Sequence, residues 1–596
     1  MVGIRFLIAL APVLACLGAQ GAGTGCDGEQ PHPRQRDTRV REYVSPVSVV
    51  LENGRVENSR HLLHGAEFCD TLPTRTPDHC TLTTSTGSVS AVTLDFGREL
   101  HGGIRIGVSY PSTAQAKIRV RFGESVGETM AEIGESGATN DHAVRDAVIE
   151  APRLGALEFG QTGFRFVRIE LLTVGRLLLE EVRAVSVMRD MKRIGSFNSS
   201  DPLLNRIWDV CARTVHLCSQ EYLWDGIKRD RLVWMGDTHP ETKALLAAFG
   251  SGATVIPETL KYAAKTTPPD TWMSTMPNYT LWWIRNVAEW YRFTGDAQWV
   301  RSFGDYLPKT LDHMLSNRTR DGFWGPEGAV NGEGFFLDHP SRDNPEAARA
   351  GSQGLAALAF DDAAELMRVC GDARRSEMAS AAARRLRMAP LDPAGSKQAA
   401  SMLSLGGICN PKRMDAELLS RGGAAGTTTF FGYYMIEAMS AGGNDQGALD
   451  LIRNYWGAML HMGATSFWED FEVAWTNGAA RLDEVPSPTR RDIHGANGRF
   501  CYKGYRNSLC HGWAAGPAAW LHAHVLGATQ LESGGRRYAI RPFLGDLDWA
   551  EGDVPTARGA IHVRHEKRAD GTVATSFRAP NGVIVITSSC RAPPAP

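Results

Sequence analysis

The chain has 596 residues, 43% of them hydrophobic and 22% charged, proportions that exclude a disordered, collagen-like or coiled-coil protein. Its 64 Lys plus Arg and 66 Asp plus Glu leave a net charge of −2, so there is no basic surplus to hold nucleic acid or an anionic membrane. At roughly 100–200 residues per domain the length suggests about three or four domains, and 15 Trp suit stacking surfaces.

Residues 1–22 read as a secretory signal peptide: Arg5, an apolar run from Phe6 to Leu17, then small residues. That run is short for a bilayer, and charges interrupt every later apolar stretch, so a secreted or periplasmic protein without an integral membrane segment is expected. With Cys16 leaving on the signal, an even number of cysteines remains, which permits disulfides. Cys69/Cys80 and Cys501/Cys510 are close enough in sequence to pair. Asn198, Asn278 and Asn317 head glycosylation sequons.

Residues 23–84 read as a lead-in segment, Gly-, Pro- and Arg-rich at its start. From 85 to 195, Ser90 to Phe96, Gly103 to Tyr110, Lys117 to Phe122 and Phe164 to Leu171 alternate apolar and polar residues between turn signals, the pattern of an antiparallel β-sandwich. The polar stretch Gly123 to Arg145 interrupts it as a long loop. From 196 to 528 the period is helical. Leu281 to Phe293 stops at Gly295-Asp296, Leu355 to Val369 at Gly371-Asp372, and Phe431 to Met439 at Gly443-Asn444, each followed by another helical run. Recurrent helical hairpins of this length point to a closed toroid rather than a short-period solenoid. Strands return over 529–596, from Tyr538 to Pro542 through Val583 to Thr587, as a C-terminal β-sandwich.

The densest polar and aromatic stretch is Trp224 to Glu241, with Asp225, Asp230, Asp237, Glu241, Lys228, Arg229 and Arg231 between two Trp. Gly226, Gly236 and Pro240 break a helix there, so loop is expected. Acids alternating with Arg also make an ordinary solvated ion-pair surface. Trp224 and Trp234 favour a sugar cleft, because sugar rings present C–H faces to aromatics and hydroxyls to charged groups. A second stretch, Gly463 to Trp475, places Glu469 after Trp468 at the end of a helical run. Cleaving a glycosidic bond takes two carboxyl groups, one protonating the leaving oxygen and the other activating water or attacking the sugar carbon. Two acid-rich segments on different helix ends can supply them.

Asp225-Gly-Ile-Lys-Arg-Asp-Arg-Leu-Val-Trp-Met-Gly-Asp237 resembles the catalytic motif of bacterial α-L-rhamnosidases of glycoside hydrolase family 78, D-C-P-x-R-x-E-R-L-G-W-x-G-D. Gly463 to Glu469 resembles that family's G-A-T-T-x-W-E, and Ser508 to His511 its S-x-N-H. The stretches from Leu94 to Gly103, Thr162 to Phe166 and Arg541 to Gly552 resemble its flanking β-domains, so the likeness runs over about residues 85–590. It implies a central (α/α)6 toroid flanked by N-terminal and C-terminal antiparallel β-sandwich domains, and hydrolysis of terminal α-L-rhamnosyl residues with inversion. No cofactor and no catalytic metal are implied, and the partner is a carbohydrate. Carried over by position, Asp230 stands at the general acid and Glu469 at the general base. Asp225, Arg229 and Asp237 occupy sugar-binding positions, Trp234 and Trp468 help form the pocket, and His511 completes its wall. Trp272, Asp338 and His339 are placed by similar surroundings.

The chain departs from the pattern: its motif is one residue shorter, Gly226-Ile227 replaces Cys-Pro, and Asp230 replaces Glu, one methylene shorter. Two other readings follow. A lyase on the same scaffold would cleave rhamnosyl–glucuronate linkages with His239, Tyr279, His339 or His511 moving protons. A non-catalytic carbohydrate-binding relative would keep the fold without turnover.

Overall fold

The computed structural model describes residues 37–63, 78–317, 323–325, 335–500 and 502–587. The expected signal peptide at 1–22 lies outside these residues, as do Cys69 and Cys501 and hence both expected cysteine pairings.

The first sheet has nine strands. Ser90–Ser109 is its longest: residues 91–95 pair with Ser48–Asn53, and residues 102–109 pair with Gly175–Arg189. Gly155–Leu171 runs antiparallel along its other side. Alternate side chains such as Leu94, Ile104, Ile106, Phe122, Phe164, Val167 and Ile169 form one apolar core. Many opposite positions are polar yet buried as well, some paired within the sheet, as Arg168 is with Glu170, and some where the helical part of the chain meets the face. There Arg165 holds Asp95 through two bonds of 2.8 Å and reaches Gly463 O at 3.0 Å. Pairing is what makes such burial of charge tolerable.

Two sequence expectations change here. The segment 23–84 is not a lead-in throughout: Arg39–Val44, Ser48–Asn53, Arg55–Glu57 and Cys80–Thr84 are strands of this sheet. The first three have much of their surface exposed, so their apolar alternation is weak in sequence. The stretch 123–145 also carries a short helix, Val126–Met130, capped by Ser125, whose hydroxyl accepts from Glu128 N.

Helical hairpins form at the three expected stops. Gly295, Gly371 and Gly443 have φ of 71°, 83° and 85°, the left-handed conformation that ends a helix without a Cβ clash. The next residue in each case begins the following helix: Asp296, Asp372 and Asn444 accept from the N–H of Trp299, Arg375 and Gly447. The Gly-Asp and Gly-Asn pairs are therefore stop and start signals in two residues. The hairpins are Pro277–Thr294 with Ala297–Arg301, Pro345–Cys370 with Ala373–Arg387, and Gly432–Ala441 with Asp445–His461. Helices Pro202–Cys218 and Thr238–Phe249 bracket the acid-rich loop. Asn278 is buried in the first hairpin, its amide donating to Phe336 O and Ser352 Oγ at 2.8 Å each, so that sequon cannot take a glycan.

At the C-terminal end Trp549–Thr556, Gly559–Lys567 and Val573–Arg578 are antiparallel, and Asn198–Ser199 joins their edge. A second, three-stranded sheet departs from the all-antiparallel expectation: Arg537–Ile540 pairs in parallel with Ile584–Thr587. The chain crosses from one sheet to the other before that last strand, which enters in the same direction as its neighbour. Among the described residues no helix is long and apolar enough to cross a membrane.

Candidate active site

The loop between Trp224 and Asp237 is shaped by its first acid. Asp225 Oδ2 accepts from Asp230 N at 2.8 Å and Oδ1 from Leu232 N at 2.9 Å, while Asp225 N donates to Leu232 O at 3.0 Å. Burial pushes the Asp225 carboxyl up to about 7, against the opposing pull of His511 and of those two N–H donors. Gly226 lies against the segment ending in His511: a Cβ there would sit 2.6 Å from Arg229 O and 2.8 Å from His511 Nδ1. The replacement of Cys by Gly in the motif is thus matched by a close approach of backbone to the His511 ring.

Arg229 joins the two acid-rich segments. Its Nη1 donates to Asp230 Oδ1 at 2.8 Å, its Nη2 donates to Glu469 Oε1, and its Nε donates to Arg506 O at 3.0 Å. The two carboxylates raise its pKa although burial works against the charge. The guanidinium plane lies 4.8 Å over the Tyr502 ring. Glu469 is nearly closed off, 3% exposed at its side chain, whereas Asp230 is 23% exposed. Glu469 Oε2 accepts from Ser508 N at 3.0 Å, and its main chain is tied by Trp513 Nε1 at 3.1 Å and by the Thr429 hydroxyl.

His511 forms the third corner. Its Nε2 is 3.0 Å from Asp237 Oδ1 and its Nδ1 is 3.9 Å from Glu469 Oε1. Burial disfavours the imidazolium, but Glu469, Asp237 and Asp225 outweigh it and push His511 up to about 9. The residue is therefore cationic at neutral pH.

These groups face one cavity of about 140 Å³, walled by Trp234, Met276, Tyr279, Phe336, Tyr502 and Trp513, with Arg342 and His339 beside them. Trp234 meets Tyr279 edge to face at 5.9 Å. Tyr502 Oη is hydrogen-bonded with His339 Nε2, and burial lowers His339 to about 3, so its ring is neutral. His142, from the stretch 123–145, approaches Asp230 Oδ1 at 3.4 Å.

Of the sequence-derived site residues, Asp225, Arg229, Asp230, Trp234, Asp237, His339, Glu469 and His511 meet at this cavity, and three do not line it. Trp272 packs against His313 at 4.1 Å and Trp324 at 5.9 Å. Trp468 is buried edge-on to Phe471 at 5.3 Å. Asp338 caps the turn His339–Asp343 and accepts from His339 N and Thr428 Oγ1. Each serves packing or capping at the position it holds. Residues that the sequence did not single out include Phe336 and Arg342, flanking Asp338-His339, and Trp513, two residues past His511. Tyr502 and His142 come from irregular segments with no local signal.

A larger cavity of about 560 Å³ lies at the C-terminal ends of helices Thr238–Phe249 and Pro277–Thr294, away from the ends that border the site. Two ion pairs lie in its wall: Lys243 holds Glu289 at 3.1 Å and Arg292 holds Glu365 at 2.8 Å.

Residues 192–352 match the family model for the bacterial alpha-L-rhamnosidase 6 hairpin glycosidase domain, and residues 527–586 that for the bacterial alpha-L-rhamnosidase C-terminal domain. No curated protein matches the chain. Among solved structures, the GH78 family rhamnosidase of Bacillus sp. GL1 superimposes with a TM-score of 0.68 at 22% identity, over 89% of this chain and 55% of that one. The rhamnosidase from Klebsiella oxytoca with rhamnose bound gives 0.61 at 19%, over 82% of this chain and 96% of that one. The Streptomyces avermitilis alpha-L-rhamnosidase complexed with L-rhamnose gives 0.63 at 15%, over 90% and 50%. The chain thus spans about half the length of the Bacillus and Streptomyces proteins, and at these identities the likeness is one of fold. The helices and sheets are those of a six-hairpin glycosidase-like fold, and the two matched segments are similar to domains of bacterial α-L-rhamnosidases. Glu469 and Ser508 to His511 lie outside both segments and reach the site through the tertiary structure alone.

Proposed function

We propose that the protein is an exported glycoside hydrolase that removes terminal α-L-rhamnosyl residues from polysaccharides or glycosides with inversion. It would do so in a ring of helical hairpins set between β-sandwich domains, over about 85–195, 196–528 and 529–596. The observation that carries this reading is Arg229, whose two terminal nitrogens hold the carboxylates of Asp230 and Glu469, 240 positions apart in sequence for Glu469, on one cavity. The cavity of about 140 Å³ is on the scale of one sugar ring, which suits removal of a terminal residue.

The difference in depth supports the following roles. Asp230, at the open side, protonates the glycosidic oxygen as the bond to the sugar carbon breaks, and the aglycone leaves toward solvent. Glu469, deep in the pocket, takes a proton from the water that attacks the opposite face of the ring, so the anomeric configuration inverts. His511 and Arg229 offset the surrounding acids, and Trp234, Tyr279, Phe336 and Trp513 supply apolar faces for the sugar's C–H groups. Rhamnose bound in two proteins of this fold supports the sugar assignment.

One contact favours a second reading. The neutral His339 hydrogen-bonded with Tyr502 is a possible base and acid for β-elimination from a rhamnosyl-glucuronate. Proton NMR of the products separates the two. Incubation with an aryl α-L-rhamnoside and a rhamnose-capped, glucuronate-containing oligosaccharide should release β-rhamnose first and leave a saturated acceptor. A 4,5-unsaturated uronate would overturn the hydrolase and its catalytic pair.

A further inference from the structure

Lys228 and Glu124 build a buried support that reaches the reacting groups from the N-terminal sheet. The Lys228 ammonium lies 2.8 Å from Glu124 Oε2 and 3.2 Å from Glu128 Oε1, and donates to Tyr505 O and Asn507 O at 2.9 Å each. Arg229, the next residue, takes the carbonyl between them, Arg506 O, at 3.0 Å. Two successive side chains therefore grip three successive carbonyls. The N–H groups that follow go to two carboxylates in turn: Ser508 N donates to Glu469 Oε2 at 3.0 Å and Leu509 N to Glu124 Oε2 at 2.6 Å. Glu124 is 1% exposed and Lys228 8%. His494 stands close enough to Glu124 and Glu128 for the three to hold a metal ion, but the ammonium of Lys228 is the cation at this place.

We propose that Glu124 and Lys228 are positioning residues for the carboxylate of Glu469, with the N-terminal sheet supplying the anchor. This rests on the reading of Glu469 as the base that acts on water. The reach of the effect is set by geometry. The segment 505–509 has no regular secondary structure beyond one turn at Gly504–Arg506, and these side chains hold it together with Glu469 N on Ser508 O at 2.9 Å and His494 Nε2 against Asn507 O at 2.9 Å. A shift in Ser508 N moves the carboxylate it holds, and a misplacement of about 1 Å at a reacting group can cost roughly a hundredfold in rate.

The test measures kcat and KM of the full chain on an aryl α-L-rhamnoside, with thermal melting recorded for each variant. Glu124→Gln changes almost no volume and is expected to lower kcat at least about tenfold with KM within about threefold. In a Glu469→Gln background it should cause no further loss, because a residue that acts through Glu469 has nothing left to act on. A protein merely destabilised by the change would lose active fraction in both backgrounds. Should Glu124→Gln not fold, Glu124→Asp keeps the charge beside Lys228 and shortens the reach to Leu509 N by one methylene, and the same loss of kcat is expected of it. Parental kcat in either folded variant, or an equal loss in the Glu469→Gln background, overturns the proposal. Parental activity of Glu469→Gln itself would instead show that the assignment of the base, and not the support, is wrong.

Discussion

His511 is charged in a place where burial alone would neutralise it, and that makes its contribution to stability measurable. Its pKa stands at about 9 against an ordinary histidine value of 6.5, because Glu469, Asp237 and Asp225 surround it. At about 1.4 kcal/mol per unit the difference is about 3 kcal/mol. The sign follows from the direction: a raised histidine binds its proton more tightly when folded. Its stabilisation is complete below pH 6.5, then fades as pH rises, and is lost above 9. His511→Gln should therefore flatten the fall in unfolding free energy between about pH 6.5 and 9 by up to roughly 3 kcal/mol, read from urea titrations. His524, also pushed up to about 9 once Glu437 and Asp445 outweigh its burial, titrates in the same window but cancels in the difference between the two proteins. Asp225, at about 7 with His511 pulling it down, rises further in the variant and keeps some fall of its own in the window, so the flattening is less than the full His511 share. Parallel curves for parent and variant would refute the charged His511.

Three further outcomes are expected. Glu469→Gln should lower hydrolysis about 10²–10⁴-fold, the range for a lost general base, with L-rhamnose binding still detectable by calorimetry; near-parental turnover would remove it from the mechanism. Asp230→Asn should slow alkyl rhamnosides far more than a nitrophenyl rhamnoside, whose leaving group needs no proton, so an equal loss on both would assign the donor elsewhere. Gly226→Ala brings a methyl to 2.6 Å from Arg229 O and 2.8 Å from His511 Nδ1. Overpacking of this kind costs about 1–3 kcal/mol, so a lower melting temperature and at least tenfold lower kcat/KM are expected, and an unchanged variant would show that the loop is free to move.

Local chemistry is what the sequence made legible. Gly295-Asp296, Gly371-Asp372 and Gly443-Asn444 announce three hairpins because a left-handed glycine and a capping side chain act on their immediate neighbours. The breakers Gly226 and Gly236 likewise mark the acid-rich loop, whereas Pro240 sits in the first turn of helix Thr238–Phe249, and the paired acids in two such segments point to glycosidic chemistry. Which side chains face the cavity was decided only in three dimensions. Trp468 and Glu469 are adjacent, yet one packs on Phe471 while the other is held by Arg229. Asp338 is spent on a cap, whereas its neighbour His339 borders the cavity. The support from Glu124 to Leu509 spans 385 positions, and nothing local to either residue encodes it. Hydrogen bonds and ion pairs are satisfied by proximity in space, and for a site assembled from five separate segments that proximity exists only once the chain has folded.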